Sequence, residues 1–149
     1  MVKQTQATLT WMGELKFSGG ASSGHALNLD ASVENGGENT GFQPLELLLV
    51  GLGGCTAMDV ISILRKMRQE VTGYEVFVTG DRAEDHPKVY TRIHVEHVLR
   101  GRGLQESSVQ RAIELSVEKY CSALAMLSKS ASITTSHRII EEGKEEVNH

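Results

Sequence analysis

The chain has 149 residues, of which 40% are hydrophobic and 23% charged, and a formal charge of −4 at pH 7. A chain of this size buries about two thirds of its unfolded surface, enough for a core that needs no disulfide or metal staple. The composition argues against disordered, collagen-like and coiled-coil classes, the acidic balance lacks the basic surplus of a nucleic-acid binder, and two cysteines, Cys55 and Cys121, are too few for a secreted disulfide framework.

Residues 1–13 alternate polar and apolar side chains and lack the long apolar centre of a signal peptide. Ala7, Leu9 and Trp11 predict a strand, Met12-Gly13 a turn, Leu15 and Phe17 a second strand. A loop is expected from Gly19-Gly20 through Gly24, followed by a third strand with Leu27, Leu29 and Ala31. The stretch GGASSG supplies glycines but opens no helix, so it reads as a turn rather than a phosphate cradle. Residues 34–41 form a polar glycine-rich loop, and Pro44 then takes the favoured first position of a helix.

From Leu45 to Met67 the chain is apolar on nearly every side through Leu64, and it closes with basic Arg65, Lys66 and Arg68. A helix apolar all round is a buried one, and this apolarity predicts a two-fold homodimer with the helix at its centre. Gly51, Gly53 and Gly54 allow close approach of another backbone, and each costs about 1 kcal/mol in a helix interior, which leaves open whether the helix breaks at Gly53-Gly54. The uncharged run between Glu46 and Asp59 has 12 residues, against about 18 for a membrane span. No membrane partner and a cytoplasmic location are therefore expected.

Tyr74, Val76 and Val78, then Val89, Thr91, Ile93 and Val95, predict an antiparallel hairpin that Gly101 and Gly103 end. A second helix carries Val109, Ile113, Val117, Tyr120, Cys121 and Leu124 on one stripe. A last strand is expected near Ile133 to Ile140, before an acidic tail (EEGKEEVNH). The fold class is α+β with mainly antiparallel sheet, in a single domain spanning residues 1–149.

Both thiols stand where burial is expected. Either each is a small apolar core residue, or the two meet and carry redox chemistry; separation along the chain does not decide, because bridging needs specific geometry in space. A thiol of pKa about 8.5 is roughly 3% thiolate at neutral pH, so full ionisation gains about 30-fold. The accompanying loss of intrinsic nucleophilicity is about 20-fold. A fast peroxide-reducing thiol therefore also needs donors or a cation that stabilise the departing oxygen. A helix restarting after Gly54 would offer Cys55 free N–H groups. In a continuous helix, Asp59 shares the face of Cys55 and opposes ionisation. His94 and His97, three apart on a strand, face opposite sides; Glu96 joins His94, but two ligands do not close a site, so no metal or cofactor is expected. Seven aromatics in total make no stacking platform for nucleic acid.

PLELLLVGLGGCTAMD, followed by a second cysteine in EKYCSALAML, resembles the OsmC/Ohr family of osmotically inducible and organic hydroperoxide resistance proteins, on the side of its OsmC-like branch. The order of predicted elements fits that family along nearly the whole chain. The resemblance implies an intertwined homodimer in which an antiparallel meander and a hairpin wrap two central helices. It also implies reduction of organic hydroperoxides, with Cys55 attacking, Cys121 resolving through a disulfide, and a dithiol reductant restoring both. Three departures stand out. The family's peroxidatic members place glutamate directly after the helix-initiating proline, where this chain has Leu45 and then Glu46. They place an arginine in the meander, whereas the first arginine here is Arg65 and the nearest cation is Lys16. Many have proline after the second cysteine, where this chain has Ser122. The competing expectation is a non-catalytic dimer of the same fold that binds a small apolar or thiol-reactive ligand.

Overall fold

Alternation near the N terminus produces a three-stranded antiparallel meander, β1 (Ala7–Trp11), β2 (Phe17–Ala21) and β3 (Ala26–Leu29), in that spatial order. The computed structural model describes residues 3–142 and divides into two units, one ending at Leu48 and one beginning at Leu49. In the first unit, Gly19 and Gly20 lie within β2, opposite Leu9 and Thr8, and the turn is confined to residues 22–25. The loop expected from Gly19 therefore starts later. Glycine serves inside this strand because a Cβ on Gly19 would come to 3.1 Å from Leu29 Cδ1. One face of the meander is apolar yet open, with Leu9 56% and Trp11 65% exposed.

Asp30 organises the loop that follows. Its carboxylate accepts hydrogen bonds from Ala31 N (2.7 Å), Glu38 N (3.1 Å), Thr40 N (3.1 Å) and Thr40 Oγ1 (2.7 Å). Thr40, through its hydroxyl and then its amide, is the chief cause of an Asp30 pKa lowered to about 2. A lowered carboxylate pKa contributes stability above the unfolded value, and that contribution is lost as pH falls. Thermal melts of the protein should therefore lose stability from pH about 4 to about 2, and Asp30→Asn should flatten that part of the profile.

α1 (Pro44–Lys66) begins at the proline and runs unbroken for 23 residues. The helix does not break at Gly53-Gly54, a point that the sequence left open. Leu52, Val60 and Leu64 on the same helix are fully buried, and Gly53 fits against β4, where a Cβ would reach 3.0 Å from Val78 Cγ2. A continuous ladder and this packing outweigh about 1 kcal/mol per glycine. A Cβ placed on Gly51 or Gly54 would meet nothing within 4 Å. With both charged ends included, α1 has the length and mean hydropathy (2.0 over an 18-residue window) of a membrane span, and only 28% of that window is buried.

The second unit holds β4 (Glu70–Arg82) and β5 (Tyr90–Arg102) as the expected antiparallel hairpin, with β6 (Ser132–Glu141) added parallel to β5. The parallel pairing follows from the helical crossover between β5 and β6. That crossover is not the single helix expected. It consists of α2 (Glu106–Leu115), a π-helical turn (Ser116–Tyr120) and α3 (Ser122–Leu127), with Cys121 extended at φ −78 and ψ 101 between them. Cys121 N donates to Ser116 O (2.8 Å), the wide turn that throws the register off. The core joins Val60 and Leu64 of α1, Leu99 of β5, and Val109, Ala112 and Ile113 of α2. The acidic tail from Gly143 onward lies outside the described residues.

Candidate functional site

Cys55 and Asp59 stand one turn apart on α1, so an unbroken helix points both the same way. Cys121 arrives from the crossover, where its Sγ accepts from Leu124 N (3.4 Å) and caps α3. The two sulfurs and an Asp59 carboxylate oxygen all lie within 4.8 Å of one another, and both thiols are free. Cys55 is half-buried, whereas Cys121 is 3% exposed. Residues 66 positions apart in sequence thus share one small volume, which spacing alone did not show.

Hydrogen bonds hold this volume in shape. Ser116 Oγ donates to Asp59 Oδ2 (3.0 Å) and shares a buried 2.7 Å hydrogen bond with Thr56 Oγ1. Burial is the largest influence on Cys121 and pushes its thiol up to about 11; the Leu124 amide opposes this, while Cys55 and the Asp59 carboxylate add to it. Close by, Tyr74 Oη and His97 Nδ1 share a 2.6 Å hydrogen bond, and the two rings stack at 5.9 Å. Burial, then the charge of Asp59, pushes the Tyr74 phenol up. Burial, then the charge of His137, lowers His97 to about 4, so its imidazole is neutral at physiological pH. His97 Nε2 has no hydrogen-bond partner among the described residues. Between α1 and β4 lies a cavity of about 460 Å³ lined by Val50, Gly54, Ala57, Tyr74, Val76 and Val78, among others.

Other residues singled out from sequence have different placements. Glu46 Oε1 accepts from Gln43 N (2.8 Å), the role of a first-turn helix cap. Lys16 is ion-paired with Glu38. His94 and His97 do face opposite sides of β5: His94 bonds Thr134 and Ser136 across to β6 (2.7 and 2.8 Å), and His97 is fully buried. Glu96 pairs with Arg138 (3.1 Å). Sequence reasoning missed Thr56, Ser116, Tyr74 and His97 as partners of this site. Ser116 carried one signal, being a polar residue three positions after Ile113 and so on the face of the apolar stripe expected of the second helix.

Known proteins share this architecture. The family model described as OsmC-like protein matches residues 37–136. Protein YhfA of Escherichia coli K12 is 41% identical over 135 residues, covering 91% of this chain and 98% of its own. A hypothetical protein from Aquifex aeolicus VF5 is 35% identical with a TM-score of 0.83, covering 95% of this chain and 99% of its own. An organic hydroperoxide resistance protein OsmC from Legionella pneumophila shares the fold at a TM-score of 0.68 and 15% identity, over 92% of this chain and 98% of its own. The matched segment contains both cysteines, the carboxylate between them and the crossover that brings them together, and the chain belongs to the OsmC-like family.

Proposed function

We propose that the protein is a cytoplasmic, homodimeric, thiol-dependent reductase of organic hydroperoxides in which Cys55 attacks and Cys121 resolves. The observation that carries this reading is the meeting of two free thiols within 4.8 Å, one half-exposed and one buried. Attack requires access, which Cys55 has. Resolution requires a thiol that stays reduced and close until it is needed, and burial keeps Cys121 protonated at neutral pH. Family relatives described as organic hydroperoxide resistance proteins lend support through the fold they share.

The steps balance without a bound cofactor. Cys55 Sγ bonds the outer oxygen of the hydroperoxide, the O–O bond breaks, and an alcohol leaves with the transferred proton. Cys55 is then a sulfenic acid. Cys121 gives its proton to solvent and attacks that sulfur as the thiolate, the departing hydroxyl takes a proton from solvent, water leaves, and a disulfide remains. An external dithiol reduces the disulfide by exchange.

Equimolar organic hydroperoxide added to the reduced protein should remove two thiols together, and dithiothreitol should restore both. Survival of both thiols, or their loss only in denaturant, rejects the reductase and favours a non-catalytic ligand binder of the same fold. The dimer has its own test. Val50 and Met58 of α1 are 56% and 72% exposed, and a second copy packed on this helix would cover them. Light scattering of a dilute solution should give twice the chain mass; the mass of a single chain contradicts the dimer.

A further inference from the structure

The groups that converge at the crossover also make a metal-ligand set that neither the family match nor the peroxide chemistry requires. We propose that Cys55, Asp59 and Cys121 together bind one divalent cation of the Zn²⁺ type. Two thiolates and a carboxylate are a donor set that zinc accepts in tetrahedral sites, and three protein ligands leave the fourth position to water.

The geometry supports this directly. The three ligating atoms already lie within 4.8 Å of one another. A tetrahedral ion about 2.3 Å from each sulfur sets the sulfurs about 3.8 Å apart, so inward movement of about 1 Å completes the site. The i,i+4 pair Cys55 and Asp59 comes from one rigid helix, and Cys121 comes from the junction where the backbone has left helical form. The outer contacts are those of a metal site too. Ser116 donates to Asp59 Oδ2 at 3.0 Å and is held in turn by Thr56, which orients the carboxylate. The Leu124 amide donates to Cys121 Sγ at 3.4 Å.

Binding exchanges two S–H bonds for two sulfur–metal bonds and releases two protons to solvent. Two thiolates, one carboxylate and the ion together carry a net charge of −1, and no oxidant or reductant takes part. Metal and peroxide compete for the same sulfurs, so the loaded form holds both thiols out of oxidation. That last consequence rests on the reductase reading; metal binding itself does not.

The test uses the reduced, chelator-stripped full chain, titrated anaerobically with Zn²⁺ alone and with Co²⁺ alone, in the absence of peroxide. The expected result is one ion per chain, two protons released per ion in calorimetry across buffers, and a cobalt spectrum with thiolate charge-transfer bands and the strong visible bands of a tetrahedral site. Asp59→Asn should weaken binding by about 10-fold or more, and Cys55→Ser or Cys121→Ser by about 100-fold with loss of charge-transfer intensity. A wild-type cobalt spectrum without thiolate bands overturns the proposal, whatever the variants do. So does unchanged binding in the Cys55→Ser/Cys121→Ser double variant, which would assign the metal to the surface. Because no peroxide is present, failure here leaves the thiol-count result untouched, and the reverse holds as well.

Discussion

Cys55→Ser should abolish hydroperoxide consumption, by at least about a thousandfold, because serine supplies neither the nucleophile nor the sulfur that carries oxygen. Cys121→Ser should behave differently. Its Cys55 still attacks, so one equivalent of peroxide is consumed, and the reaction halts at a sulfenic acid that mass spectrometry reads as a gain of one oxygen atom. Identical behaviour of the two variants would remove the assignment of roles. The pH dependence separates the steps further. Burial pushes the Cys121 thiol up to about 11, and its deprotonated form is the one that attacks. Disulfide formation after the first oxidation should therefore accelerate as pH rises through the neutral and alkaline range, measured by rapid quench and mass spectrometry. A resolving step that is flat with pH contradicts the buried-thiol assignment.

Leu99→Ala should be the most damaging of the simple core truncations, lowering stability by about 3 kcal/mol and the melting temperature by roughly 10 °C. Leu99 is fully buried toward the C-terminal end of β5, where it clusters with Val60 and Leu64 of α1 and Val109, Ala112 and Ile113 of α2. Its loss leaves a cavity that surrounding elements fill only in part. Leu99→Met, which conserves volume, should cost less than about 1.5 kcal/mol. The cavity also has a functional reading. The same packing fixes α1, which carries Cys55, against the segment that delivers Cys121, so disulfide formation should slow more in Leu99→Ala than in Leu99→Met. Urea denaturation and single-turnover oxidation of the same samples check both expectations. Equal stability of the two variants would mean that the core at Leu99 collapses freely.

The α+β class, the meander, the hairpin and the closing strand were legible because each rests on a periodicity carried by neighbouring residues. Pro44 marked the start of α1 for the same local reason. Three features were not legible. Whether the helix breaks at Gly53-Gly54 stayed open because glycine disfavours helix locally, while the packing of Gly53 is against Val78, a residue 25 positions away. The second helix was expected to be continuous because its apolar stripe is continuous, yet a π-turn at Ser116–Tyr120 and an extended Cys121 interrupt it. The order β4-β5-β6 with a parallel final pair depends on a crossover, which no strand records in its own residues.

The candidate site divides in the same way. Sequence by itself determined that two cysteines stand in apolar contexts, that Asp59 follows Cys55 by one turn, and that no arginine precedes Arg65. Only the tertiary structure decided that the second sulfur joins the first, that Ser116, itself bonded to Thr56, holds the Asp59 carboxylate, and that Glu46 and Lys16 are engaged at a helix cap and with Glu38. The physical reason is range. A turn of helix is specified by residues three or four apart, whereas the meeting of Cys55 and Cys121 is specified by packing summed over α1, α2 and β5, and that sum exists only once the chain has folded.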